Sequence, residues 1–220
     1  MGNRESAYHG IRERIEAAGA DRPGGSGEVK LVAVSKRQPI EAIRALADLG
    51  QRDFGENYLQ EAIDKQPELT DLPLTWHFIG PIQSNKTRAI AAQFDWVHSV
   101  DRAKIARRLG EQRDPAMEPL NVLIQVNVDG EQSKSGAEPA DVPGIVAACA
   151  EYPTLRLRGL MCIPRPGNVA AFGQLAALNA SLAEPLPDLS MGMSGDFEAA
   201  IAAGATIVRV GTALFGARDS

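Results

Sequence analysis

The segment Leu189-Ser190-Met191-Gly192-Met193-Ser194-Gly195-Asp196 is followed, after one short helical pattern, by Ile207-Val208-Arg209-Val210-Gly211-Thr212, and this pair decides the fold. Each half is a short apolar run ending in a turn that carries glycine and a hydroxyl. Between them Phe197–Ala203 has helical spacing and stops at Gly204, a residue suited to a helix C-terminus. Strand, turn, helix, strand, turn is the unit that two parallel neighbours require.

The same alternation extends back through the chain. Strands are expected at Lys30–Val34, Asp53–Glu56, Thr75–Ile79, Trp96–Val100, Leu120–Val128, Leu155–Met161, Leu189–Met191 and Thr206–Val210. Helical patterns fall at Ile40–Leu49, Tyr58–Lys65, Asn85–Ala92, Arg102–Glu111 with Asp101 as N-cap, Val142–Ala150, Ala170–Ala183 and Phe197–Ala203. A leading amphipathic helix and a flexible loop, Asp21–Glu28, occupy residues 1–28. The glycines of that loop precede a strand instead of following one, so they are not a dinucleotide fingerprint. Strict alternation argues for a parallel sheet buried on both faces. Eight units argue for a closed single-domain (β/α)₈ TIM barrel over residues 1–220, with an extra N-terminal helix, over an open doubly wound sheet.

Composition excludes several classes. A net charge of −5 and a pI near 5.3 give no electrostatic case for nucleic acid. No apolar run reaches the roughly 18 residues of a membrane span, and the first residues lack the apolar region of a signal peptide. Cys149 and Cys162 lie in apolar segments without metal-type spacing, which predicts buried reduced thiols and a cytoplasmic location. His9, His77 and His98 lack ligand spacing, so no metal is expected. Gly192-Met193-Ser194-Gly195-Asp196 is not a G-x-S-x-G elbow, because aspartate replaces the final glycine.

In a (β/α)₈ barrel the active site forms at the C-terminal ends of the strands, and a phosphate site commonly uses the loops after strands seven and eight. Those loops are Met191–Gly195 and Gly211–Gly216. Small residues let backbone N–H groups approach an anion, and Ser194 and Thr212 add hydroxyl donors. Ser194-Gly195-Asp196 also leads into a helix whose N-terminus would face an anion; either loop alone can be read as a capping turn with Ser194 or Asp196 as N-cap, and two such loops in the expected places favour the anion site. Period two places Val32, Val34 and Lys36 on one side of the first strand, and Ile207, Arg209 and Gly211 on one side of the last. Lys36 is then either a solvated lysine past a strand or a nucleophilic amine at the barrel mouth. Arg209 is either a structural ion pair or an arginine facing a ligand ring. A lysine at a strand end together with a phosphate cradle suggests a phosphorylated aldehyde held as a Schiff base. His98 reads as a satisfied core polar group, and Gln83-Ser84-Asn85-Lys86 as a second anion site or a helix cap.

With these residues assembled, the chain resembles the pyridoxal-phosphate homeostasis proteins, relatives of the barrel of alanine racemase. The resemblance runs from about Leu31 to Arg218. It rests on LVAVSK (31–36), FGENYLQEA (54–62), WHFIGPIQSNK (76–86), HSVD (98–101), QVN (125–127), LRGLMCIP (157–164) and LSMGMSGDFEAAIAAGATIVRVGTALFG (189–216). It implies a monomeric barrel like the N-terminal domain of fold-type III pyridoxal-phosphate enzymes, with the coenzyme on Lys36. It further implies phosphate contacts at Ser194, Gly211 and Thr212, Arg209 near the pyridine nitrogen, and Asn57 lining the coenzyme. Where the family more often has threonine, lysine and proline after the coenzyme lysine, this chain has Arg37-Gln38-Pro39, which puts any role for a second lysine in doubt.

An arginine stays protonated and disfavours protonation of the pyridine nitrogen beside it, which weakens the ring as an electron sink. Racemisation in the larger relatives needs a base from a C-terminal β-domain, for which no matching stretch follows the eighth strand. The resemblance therefore implies a carrier that binds, buffers and hands over pyridoxal phosphate to apo-enzymes, with no catalytic residue. An amino-acid racemase of the alanine racemase type is the alternative, and a Schiff-base aldolase a third reading.

Overall fold

In a computed structural model the residues described are 2–20, 22, 27–130 and 135–216. The order is α1 (Gly2–Gly19), β1 (Lys30–Val34), α2 (Ile40–Asp48), β2 (Asp53–Glu56), α3 (Leu59–Lys65), β3 (Thr75–Phe78), α4 (Thr87–Gln93), β4 (Trp96–Val100), α5 (Ala103–Gln112), β5 (Leu120–Gln125), α6 (Val142–Ala150), β6 (Leu155–Met161), α7 (Ala170–Ala180), β7 (Asp188–Ser190), α8 (Phe197–Ala202), β8 (Ile207–Val210) and α9 (Thr212–Phe215). All eight strands pair in parallel with their sequence neighbours, and β1 pairs with β8 to close the barrel. The closing seam sets Lys30 against Ile207, Val32 against Arg209 and Ala33 against Val210.

Alternation along the strands sorts the side chains into two cores. Leu31, Ala33, Phe54, Phe78 and Val208 join Ile43, Leu46, Ile105, Leu109, Phe172, Leu175 and Phe197 in one apolar layer between sheet and helices. Val32, Trp96, Leu123, Met161 and Ile207 form a second, smaller cluster, as expected for a packed barrel interior. Burying both faces is what makes the strands read as near-continuous apolar runs.

Several expected boundaries shift, each for a local reason. β5 ends at Gln125 instead of Val128, because Val126 leaves the ladder to bridge Ala137. Gly136 permits this approach: its φ is +128°, and a Cβ there would lie 2.7 Å from the Asn127 amide nitrogen. Asp101 does not cap α5. Arg102 holds the N-cap position without a side-chain bond to the helix amides, and the Asp101 carboxylate instead accepts from the Arg102 guanidinium at 2.6 Å. The helix expected at Asn85–Ala92 starts as a 3₁₀ turn at Ser84–Lys86 and becomes α-helical at Thr87. α7 stops at Ala180, where Ser181 turns its hydroxyl back to the Leu178 carbonyl. β7 is Asp188–Ser190, one residue earlier than expected, and α9 follows β8 without having been expected. In the expected loop Asp21–Glu28, residues 21 and 23–26 lie outside the described residues, as does Arg218.

Two glycines give opposite predictions. A Cβ on Gly159 of β6 would sit 1.7 Å from the Asp188 carbonyl oxygen of β7, whereas one on Gly144 of α6 meets nothing within 4 Å. Gly159→Ala lowers stability by about 1–3 kcal/mol or more, and Gly144→Ala raises it by about 0.5–1 kcal/mol. Urea midpoints check both, and a neutral Gly159→Ala would contradict the β6–β7 contact.

Candidate functional site

Lys36 follows β1 in a tight turn. The Ser35 amide continues the ladder to the Gly55 carbonyl, and the Gln38 amide closes back on the Ser35 carbonyl at 3.0 Å. Arg37 has φ +59°, the one described non-glycine residue in the left-handed region. Such a conformation costs energy and persists only where neighbours hold it. Here they do. Glu61 accepts the Arg37 amide, and Lys65 bonds the Ser35 carbonyl at 2.9 Å. Lys65 also pairs with Glu61 and with Glu56, whose Oε1 takes the Ser35 hydroxyl at 2.7 Å. Both neighbours of Lys36 in sequence are thereby anchored to α3 and the end of β2. Burial pushes the Glu56 carboxyl upward, partly offset by Lys65 and Ser35.

A cavity of about 250 Å³ is lined by Val34, Lys36, Gln38, Met193, Ser194, Gly195, Arg209, Gly211, Thr212 and Gly216. It thus joins Lys36 to both glycine–hydroxyl turns. The two turns touch: the Ala213 amide donates to the Ser194 hydroxyl at 3.4 Å. Asp196 accepts the Met193 amide at 2.6 Å, which fixes the first turn. Gly192 is required there, because its φ is +91° and a Cβ would meet Ala200 at 2.6 Å. The amides of Ser194, Gly195 and Thr212 have no acceptor among the described residues. With α8 only six residues long and α9 four, these local donors matter more than any helix dipole.

Asn57 is not in this cavity. It lines an adjoining one of about 410 Å³ with Ile79, Pro81, Gln125, Ser135, Ile163, Pro164, Pro166 and Met193. Met193 borders both. The Asn57 Oδ1 is buried with no hydrogen-bond partner among the described residues, an acceptor left for something else. A larger groove of about 960 Å³ is lined mostly by apolar side chains of α6, α7 and nearby loops, and it contains none of the expected site residues.

Arg209 is 3 % exposed. It donates from Nη1 to the Ser190 hydroxyl at 2.6 Å and from Nη2 to the Cys162 carbonyl at 2.9 Å. It has no carboxylate partner at ion-pair distance among the described residues, so it is not a structural ion pair. Beyond Ser190 lie two buried histidines in contact, His98 and His77, with Asp53 and Lys30 next in line. Sequence reasoning singled out each histidine but not their contact, because 21 positions separate them and no local pattern marks the pair. Cys162 and Cys149 are buried free thiols, each pushed up to about 12 by burial.

Burial holds the His77 and His98 imidazoles below their ordinary range, His98 well below. Burial by itself would raise Asp53, but hydrogen bonds from His77 and Lys30 and the charge of Lys30 outweigh it and keep the carboxyl low. Unfolding restores an imidazole near pH 6.5, so below about that pH the unfolded chain binds more protons and stability falls, by up to about 1.4 kcal/mol per pH unit for each histidine. Urea midpoints should drop as the pH is lowered from about 7.5 to 6. A rise would contradict neutral buried imidazoles.

Residues 12–219 match the family described as alanine racemase, N-terminal domain. The chain is 60% identical over 214 residues to a pyridoxal phosphate homeostasis protein of Pseudomonas aeruginosa, covering 95% of this chain and 91% of that one. It is 52% identical to the pyridoxal phosphate homeostasis protein of Escherichia coli, over 95% and 94% of the two chains. The solved structure of PipY from Synechococcus elongatus with pyridoxal phosphate bound superposes with a TM-score of 0.81 at 41% identity, covering 94% of this chain and all of that one. Alanine racemase of Clostridium difficile shares the fold alone, with a TM-score of 0.75 at 14% identity, and this chain spans 58% of its length. The chain belongs to the pyridoxal phosphate homeostasis protein family, built on the barrel of the alanine racemase N-terminal domain.

Proposed function

We propose that this barrel binds pyridoxal 5′-phosphate and serves in its homeostasis by holding and releasing the coenzyme. The observation that carries the reading is that Lys36, Arg209 and both glycine–hydroxyl turns line one cavity. The residues fit the group. Ser194, Gly211 and Thr212 would hold the phosphate, with the unpartnered amides of Ser194, Gly195 and Thr212 as donors. Lys36 would hold the aldehyde as a Schiff base, and Arg209 would donate to the pyridine nitrogen. Asn57 would offer its buried Oδ1 from the adjoining cavity.

When bound, the coenzyme supplies an electron-withdrawing ring whose strength depends on protonation of its nitrogen. Arg209 works against that protonation. A guanidinium donates only and stays charged, so Arg209 would favour a ring nitrogen that accepts a hydrogen bond over one that carries a proton. The residues thus favour retention of the coenzyme over amino-acid turnover. The receiving partners proposed are apo-enzymes that need pyridoxal phosphate, and the protein is proposed to act as a monomer in the cytoplasm. The two buried free thiols support a reducing compartment. No helix among the described residues is long and apolar enough to cross a membrane.

Added pyridoxal phosphate should bind the apo-protein with an imine absorbance, and pyridoxal lacking the phosphate at least about tenfold more weakly. Lys36→Ala loses the covalent absorbance but retains weaker, phosphate-dependent binding. Equal affinity for pyridoxal and its phosphate would contradict the anion cradle. Enantiomer-resolved assays with alanine and serine should find no sustained turnover, and turnover abolished by Lys36→Ala would contradict the carrier reading.

A further inference from the structure

Six strands contribute to one line of hydrogen bonds inside the barrel. Arg209 Nη1 of β8 donates to Ser190 Oγ of β7 at 2.6 Å. Ser190 Oγ lies 2.9 Å from His98 Nδ1 of β4, and His98 Nε2 lies 2.8 Å from His77 Nδ1 of β3. His77 Nε2 lies 2.9 Å from Asp53 Oδ1 of β2, which also takes Lys30 Nζ of β1 at 2.8 Å. Ser190, His98 and His77 are at most 1 % exposed, so the line is shielded from bulk solvent.

The hydrogens can be placed by elimination. Arg209 at one end only donates, and the Asp53 carboxylate at the other only accepts. Each neutral imidazole has one N–H and one lone pair, and the hydroxyl has one hydrogen. One arrangement satisfies every link: Arg209 to Ser190, Ser190 to His98 Nδ1, His98 Nε2–H to His77 Nδ1, and His77 Nε2–H to Asp53. Reversing the histidines would set a lone pair against the carboxylate and leave the serine hydrogen without an acceptor. A buried unpaired group of that kind costs about 1–3 kcal/mol.

We propose that Asp53, His77, His98 and Ser190 form a one-directional positioning relay that aims and polarises Arg209 toward the ring nitrogen of bound coenzyme. The inference rests on the proposed role of Arg209. Every lone pair in the line faces Arg209, so the relay extends the negative charge of Asp53 to a guanidinium that touches no carboxylate among the described residues. A buried cation without such compensation is costly, and aligned hydrogen bonds polarise one another in a low-dielectric interior. The line also fixes the guanidinium plane. Nη1 is held by Ser190 and Nη2 by the Cys162 carbonyl, leaving the remaining donors to point elsewhere. The charged groups facing the histidines come from β1 (Lys30), β2 (Asp53), the turn before β4 (Asp95) and β8 (Arg209).

Two measurements test it separately from the coenzyme reading. In apo-protein carrying ¹⁵N-histidine, nitrogen shifts should place both His77 and His98 in the Nε2–H form, unchanged between about pH 6 and 8. Opposite, mixed or cationic forms would overturn the relay whatever the cavity binds. In the loaded protein, Ser190→Ala should shift both the absorbance maximum of the lysine-bound coenzyme and its titration midpoint. It should also weaken pyridoxal phosphate binding about tenfold, the usual scale for one charged hydrogen bond. Ser190→Thr, which keeps the hydroxyl, should restore the wild-type spectrum. Ser190→Ala with wild-type absorbance and affinity would overturn the coupling to Arg209. A wild-type protein that takes up no pyridoxal phosphate would overturn the coenzyme reading and the coupling together, while apo tautomers as assigned would still uphold the relay.

Discussion

Pairing of the first strand with the last is the contact on which the site depends. Lys36 and Thr212 lie at opposite ends of the chain, and no local interaction can bring them together. The register Lys30 to Ile207 through Ala33 to Val210 does so, because both strands run the same way and end at the same rim. It also sets Val34 beside Gly211, at ordinary contact distance from where a Cβ on that glycine would stand. A slip of one residue would turn Lys36 and Arg209 to the helix side, since strand side chains alternate with period two.

Around that seam the polar groups divide into two supports. Glu56, Glu61 and Lys65 grip the turn on either side of Lys36 and hold Arg37 in its left-handed conformation. Inside the barrel, Ser190 and the histidines fix Arg209. The barrel support is buried, the support at the turn is buried at Glu56 and Lys65 and partly exposed at Glu61, and both satisfy their hydrogen bonds almost completely. Glu56 Oε2 and Asn57 Oδ1 are the exceptions among the described residues near the mouth. An anchored backbone on either side of Lys36 and a guanidinium held at two nitrogens leave less to order when a small charged ligand is held, which lowers the cost of binding it.

Much of this was legible in the sequence because the relevant signals are local. Short apolar runs ending in glycine and a hydroxyl, with helical patterns between them, describe eight β/α units. Arg209 stood out because a charged residue within Ile-Val-Arg-Val is unexpected in a barrel interior. What was missed is non-local. The His77–His98 contact depends on barrel register, and so does the grip of Lys65 on Ser35 across 30 positions. Asn57 falls in the neighbouring cavity because the chain turns immediately after β2. The Asp101 cap failed because a nearby guanidinium competed for its carboxylate.

The central claim is that one pyridoxal phosphate sits between Lys36 and the Ser194 and Thr212 turns. The most direct measurement is intact mass before and after borohydride treatment of the loaded protein, followed by peptide mapping. The account predicts that the chain gains the mass of a single reduced coenzyme, carried by the peptide containing Lys36. A reduced adduct on any other lysine, or no adduct at all, would contradict it.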